Sequence, residues 1–136
     1  PKHLLGIGEI DDLMKGIRLG IDVFDCAVPT RLARHGMALA PDPETRFRMN
    51  LRRSDMVGDR LPLVEGCPCV ACRDYDRDYI NYISRSEELT AVRLMVEHNL
   101  TYMEELMAGA RKAITAGTYG SYSAAVLDGK APWDAL

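Results

Sequence analysis

The sequence predicts an α/β chain, and three features carry that expectation. They are a strand, helix and strand within residues 3–28, a thiol cluster at Cys67-Pro-Cys69-Val-Ala-Cys72, and a long apolar helical stripe from Leu89 to Gly117. His3-Leu-Leu-Gly-Ile7 is a short apolar run broken by Gly6 and Gly8, and it reads as a buried strand running into a turn. In the helix that follows, Asp11 and Asp12 suit the first turn electrostatically. Ile10, Leu13, Met14 and Ile17 recur at helical spacing, and Gly20 can close the helix in the left-handed conformation. Ile21 to Val28 is then a second strand, ended by Pro29. Such a βαβ unit implies parallel strands with a right-handed crossover. It cannot cover both of its faces alone.

From Thr30 to Arg60 the chain is locally basic, with Arg31, Arg34, Arg46, Arg48, Arg52, Arg53 and Arg60 against Asp42, Glu44, Asp55 and Asp59. An ordinary solvated face and a phosphate-contacting surface both fit this set. Arg46 to Leu51 alternates with period two, which predicts a short strand paired with Met37–Ala40 across the Pro41-Asp42-Pro43 turn. Beyond the cysteines, Tyr75, Tyr79, Tyr82 and Ile83 predict one side of a helix starting near Asp74, and Ser84 and Glu87 have capping-box spacing for the next. In that next helix Leu89, Val92, Met95, Val96, Leu100, Met103, Leu106, Met107, Ala110 and Ile114 keep a spacing near 3.6, which reads as core. The segment from Thr118 carries little signal, and either a flexible end or a docked Trp133 fits it.

At 136 residues the chain is one domain or part of one, with 47% hydrophobic residues available for a core. A net charge of −3 gives no global argument for a nucleic-acid partner. There is no apolar run long enough to span a bilayer and nothing resembling a cleavable leader, so a soluble, cytoplasmic protein is expected. The chain opens on Pro1, just before an apolar run, which leads one to expect a piece of a longer protein.

The thiol cluster is the most specific chemical signal. Three sulfurs in a C-x-C-x2-C run reach one ion at little cost in loop entropy, and His98, in the downstream helix, is a candidate fourth ligand. A disulfide pair with spare thiols is the competing reading. Only four cysteines and two of them one residue apart, where bridging is strained, weigh against it.

Gly20-Ile-Asp-Val-Phe-Asp-Cys-Ala-Val-Pro-Thr-Arg-Leu-Ala-Arg-His-Gly36 closely resembles the signature of tRNA-guanine transglycosylases. The cysteine run, followed 26 positions after Cys72 by the His of Glu97-His-Asn-Leu100, resembles that family's zinc subdomain. The resemblance extends to about Gly117 and matches the C-terminal part of the family enzyme. It implies the last two strands of an irregular (β/α)8 TIM barrel, a zinc-binding subdomain and C-terminal helices. By segment, it implies the last barrel strands, the nucleophile and a basic tRNA-facing stretch in 1–60, the zinc-binding subdomain and helices in 61–117, and a tail in 118–136.

The implied reaction exchanges the wobble guanine of tRNA for a 7-deazaguanine base through a covalent ribosyl intermediate. Asp25 matches the nucleophile, at the C-terminal end of a barrel strand where such enzymes place chemistry. Asp22, the rival carboxylate, falls on the opposite strand face by period-two alternation. Val23, Phe24 and Val28 are expected to help exclude water. Leu5 and Gly6 match positions that lie against the base, with His3-Leu-Leu-Gly6 where the family commonly has Tyr-Leu-Met-Gly. Arg31 and Arg34 match arginines that touch tRNA. Cys67, Cys69, Cys72 and His98 match the ligands of a structural zinc ion, and Cys26 is a packed thiol outside that set. The family's bacterial members imply a homodimer contacting through the zinc region, and the fragment alone is expected to be inactive. A non-catalytic, zinc-stabilised tRNA-binding or subunit-interface module is the alternative.

Overall fold

The computed structural model describes residues 1–136. β1 (His3–Leu5), α1 (Ile10–Arg18) and β2 (Val23–Asp25) form the expected βαβ unit, with β1 and β2 parallel and Leu5 opposite Asp25. α1 ends as Gly20 predicts. Gly20 takes a φ of 84°, and the Ile21 N–H reaches back to the Gly16 carbonyl at 3.0 Å, a wrapped helix end that a side-chain-free residue makes without strain. Gly16 also lets α1 approach the sheet, since a Cβ there would lie 2.8 Å from the Phe24 ring.

Both strands are shorter than their apolar runs, and neither is buried on both faces. Leu5 is 66% exposed and Val23 47%. Pro29 does not merely end β2. It lies in the first turn of α2 (Val28–Arg34), where its missing N–H is no loss and its fixed φ suits a helix start.

β3 (Met37–Leu39) pairs antiparallel with β4 (Arg48–Asn50), as the alternation predicts, with Arg46 and Phe47 at positive φ in the connection. After a single 3-10 turn at Ser54–Met56, the chain runs through α3 (Val70–Asp74), α4 (Arg77–Arg85), α5 (Leu89–Thr115) and α6 (Tyr119–Leu127). The result is a helix-rich α/β fold with two small sheets. α5 is its spine, packing against α2, α3, α4, α6 and β3.

Three helical expectations need correction. α4 starts at Arg77 behind an Asp76 N-cap whose carboxylate accepts the Tyr79 N–H at 2.8 Å, so Tyr75 lies outside it. Its buried face is Ile80, Asn81, Ile83 and Ser84, and the tyrosines face solvent. Asn81 tolerates burial because its amide donates to the Leu51 and Arg53 carbonyls, at 2.6 and 2.8 Å. Ser84 and Glu87 form no capping box. Ser84 is inside α4, while Glu87 sits at φ 57° just past that helix's C-cap, with the Glu88 N–H on the Ile83 carbonyl.

On α5 the buried stripe is rotated from the predicted one. Ala91, Leu94, Met95, His98, Asn99, Tyr102, Leu106, Gly109, Ala110 and Ala113 face the core, while Leu89, Leu100 and Ile114 are exposed. The C-terminal segment is ordered. Tyr122 on α6 is buried with its hydroxyl donating to the Leu106 carbonyl at 2.9 Å, and Tyr119 donates to the Met14 carbonyl at 2.6 Å. Trp133 meets the Tyr102 ring edge-on and donates to the Glu65 carbonyl at 3.2 Å.

Candidate functional site

The residues between Leu61 and Cys69 form no helix or strand, and they are held by the buried Leu63 and Val64, by the Arg77 and Trp133 hydrogen bonds to the Leu63 and Glu65 carbonyls, and by the cysteines. Cys69 is the N-cap of α3, its sulfur accepting the Cys72 N–H at 3.4 Å, and the Val64 N–H reaches the Cys72 sulfur at the same distance. Cys67 and Cys69 are buried beneath α5, Cys72 is half-buried, and no cysteine is in a disulfide.

His98 enters this cluster from the middle of α5 and is fully buried. Its Nδ1 lies 3.6, 3.4 and 3.3 Å from the sulfurs of Cys67, Cys69 and Cys72. Nε2 stands 2.8 Å from the Leu39 carbonyl, which can only accept, so Nε2 carries a proton and Nδ1 is the ring nitrogen that faces the sulfurs. The four donor atoms all lie within 4.8 Å of one another. Tetrahedral zinc, with bonds of about 2.3 Å to sulfur and about 2.0–2.1 Å to nitrogen, sets sulfur and nitrogen roughly 3.5–3.6 Å apart. The donor set and its spacing therefore fit a metal ion of that coordination, and the four residues named from the sequence are the ones brought together.

The close packing of these groups also shifts their protonation. Cys67, donating toward Cys69 and Cys72 and buried besides, keeps its proton far above the ordinary thiol range. Cys69, which accepts from Cys67, Cys72 and His98, is held far below that range. Burial opposes the His98 imidazolium, but the sulfurs of Cys69 and Cys72 outweigh it, and the His98 pKa is pushed up to about 9. A metal ion binding here displaces protons.

Asp25 lies on a different face of the chain. It ends β2, its carbonyl accepts the Gly6 N–H at 2.7 Å, and its side chain is exposed. Alternation along β1 and β2 sets His3, Leu5, Val23 and Asp25 on the face turned away from α1, while Phe24 packs onto Gly16 and Val28 is buried in α2. Of the three apolar residues expected to exclude water, only Val23 shares the Asp25 face. Asp22 is engaged elsewhere, its Oδ2 accepting the Lys2 N–H at 2.7 Å. Gly8 and Cys26 meet so closely that a Cβ on Gly8 would overlap the Cys26 sulfur, which is a packed thiol apart from the cluster.

Arg31 and Arg34 are exposed on α2 and form no ion pair. Within the basic stretch, Arg48 pairs with Glu9, Arg53 with Asp55, and Arg60 with Asp76 and Asp78. Arg31, Arg34, Arg46 and Arg52 are the four without an ion-pair partner. Asn99 is the residue sequence reasoning passed over. It is fully buried beside His98 and makes three hydrogen bonds to backbone. A polar residue next to a metal-ligand candidate in an apolar helical stretch was its only sequence signal.

A βαβ unit with a carboxylate on its open face, joined to a helical module around a Cys3His cluster, defines an α/β protein with a substructure that could hold a metal ion. The profile of the queuine tRNA-ribosyltransferase family matches residues 1–131, and the chain belongs to that family. Among its relatives, the queuine tRNA-ribosyltransferase of Symbiobacterium thermophilum is 41% identical over 128 residues, covering 94% of this chain and 31% of the relative. Those of Roseiflexus sp. and Rhizobium meliloti are each 44% identical, covering 88% and 95% of this chain and 30% and 33% of theirs. The chain thus spans about a third of the length of the curated relatives it matches.

Proposed function

We propose that the full-length protein carrying this chain is a tRNA-guanine transglycosylase with Asp25 as its nucleophile. The observation that carries this reading is the place of Asp25. It stands at the C-terminal end of a parallel strand, on a sheet face that no helix covers, opposite Leu5 and against the backbone of Gly6. In parallel sheets this end is where ligands bind. The bare face and open edges of β1 and β2 fit the last two strands of a (β/α)8 barrel whose other strands lie outside this chain.

On this reading an Asp25 oxygen bonds to the ribose anomeric carbon as the bond to the guanine nitrogen breaks, and guanine leaves with the electron pair. The ring nitrogen of an incoming 7-deazaguanine base then bonds to that carbon and gives up its proton, which in net balances the proton the departed guanine takes up, and the carboxylate departs. Splitting the displacement in two gives each half a cation-like sugar that the neighbouring negative charge stabilises. Leu5 and Gly6 lie beside the base, and the exposed, unpaired Arg31 and Arg34 contact tRNA phosphate or base edges. Residues 1–60 carry this chemistry and 61–117 the metal-binding subdomain, with 118–136 as the C-terminal tail.

The metal is zinc, held by Cys67, Cys69, Cys72 and His98. When bound it supplies structural stabilisation, and this chain's residues do the chemistry. The full-length protein is cytoplasmic, and no helix of this chain is long and apolar enough to cross a membrane. It is a homodimer joined near the zinc region, where Tyr75 and Tyr79 stack at 5.1 Å on the surface beside the exposed Tyr82. Incorporation of labelled guanine into tRNA by the full-length protein, abolished in Asp25→Asn with metal content unchanged, is the expected result. Undiminished exchange in that variant would overturn the assignment.

A further inference from the structure

One buried side chain ties the arginine-bearing helix to the spine of the molecule. The Oδ1 of Asn99 accepts the Leu39 N–H at 2.7 Å, and its Nδ2 donates to the carbonyls of Pro29 at 2.9 Å and Met37 at 3.1 Å. The amide can be oriented only this way, because Leu39 offers a donor and the two carbonyls offer acceptors. Pro29 is in the first turn of α2 and Met37 opens β3, so a single carboxamide grips the segment carrying Arg31 and Arg34 at both ends. Leu39, held through its N–H, also gives its carbonyl to His98.

α2 needs such a grip. It has seven residues, and its N-cap, Ala27, offers no side-chain cap. Helices shorter than about 12 residues are marginal by themselves in water, so its placement is set by tertiary contacts. Its first residue, Val28, follows Asp25 by three positions. We propose that Asn99 is a positioning residue for the tRNA. By fixing the start of α2 and the β3 strand that follows it onto α5, it sets where Arg31 and Arg34 stand relative to Asp25. The proposal rests on the reading of Arg31 and Arg34 as tRNA contacts.

Asn99→Asp removes both donors and turns a carboxylate toward two carbonyls at nearly unchanged volume. Asn99→Ser, which keeps one polar group, is the milder companion should the first variant fold poorly. In the full-length protein, amide hydrogen exchange over residues 28–36 is expected to quicken by about 10-fold or more while α6 keeps its protection. tRNA is expected to bind about 10-fold more weakly, with metal content unchanged. Arg34→Ala should weaken tRNA binding less in the Asn99→Asp background than alone, because a misplaced arginine has less to lose. Exchange that quickens equally in α6, or penalties that simply multiply, would make Asn99 an ordinary core residue and overturn the proposal. Unaltered tRNA affinity in Arg31→Ala and Arg34→Ala overturns instead the tRNA reading beneath it, and the exchange data distinguish that failure from a failure of the Asn99 clamp.

Discussion

Removing the metal should unfold much of the molecule. The Leu61–Cys69 stretch has no helix or strand, and two of its cysteines, Cys67 and Cys69, meet Cys72 of α3 and His98 of α5 in one cluster. Structural zinc sites contribute about 10–16 kcal/mol of apparent binding energy, against a typical domain stability of about 5–15 kcal/mol. For a chain of 136 residues, each kcal/mol lost lowers the melting temperature by roughly 3–5 °C. Losing even about 5 kcal/mol therefore predicts a fall of roughly 15–25 °C. The assay is a circular-dichroism melt before and after dialysis against a strong chelator, with elemental analysis of both samples. One zinc per chain before dialysis and the large drop after it are expected. Because the ligands must be free of protons to bind, mild acid should strip the metal as the chelator does. An unchanged melt in a sample proven metal-free would refute a structural role for the cluster.

Two further predictions concern the helices. Asp76 caps α4, and its carboxyl is held below the usual carboxylate range by the Tyr79 N–H and by Arg60. A depressed folded pKa stabilises above the unfolded value of about 3.9 and loses that contribution as pH falls through the folded value. Asp76→Ala should therefore cost about 1 kcal/mol at pH 7, with a difference from wild type that shrinks below about pH 4 in denaturant titrations. Gly109→Ala tests close packing against helix propensity. Alanine in a helix gains about 1 kcal/mol over glycine, but a Cβ here would lie 2.4 Å from the Tyr122 hydroxyl. Overpacking of about 1–3 kcal/mol and loss of the Tyr122–Leu106 bond, about 1 kcal/mol, should win, so the variant melts lower.

The legible parts of the sequence were those whose signal is local. Gly20 and the apolar spacing of α1 depend on neighbours in the chain, and the structure follows them, while the turn expected at 41–43 falls at Pro43–Arg46 and takes the first two residues of the expected strand into the connection. The metal cluster was legible too, because thiolate and imidazole spacing carries its own chemistry. What misled was burial settled by distant partners. His98, Asn99 and Tyr102 are polar or half-polar, and they rotated the core face of α5 away from Leu89, Leu100 and Ile114. They are buried because a ligand cluster, the Leu39 and Pro29 backbone and the Trp133 ring meet them there. Asn81 did the same on α4 through the Leu51 and Arg53 carbonyls, leaving the tyrosines outside. Pro29 was ambiguous by nature, since one fixed φ both ends a strand and opens a helix.

On the proposed function, Asp25 of the full-length protein forms a covalent bond to ribose. The most direct measurement is denaturing electrophoresis of the full-length protein mixed with tRNA, followed by peptide mass spectrometry of the retarded band. A complex cleaved by hydroxylamine, with the nucleotide adduct mapped to Asp25 and absent from Asp25→Asn, is the predicted result. An adduct on another residue, or one that persists in Asp25→Asn, would contradict the account.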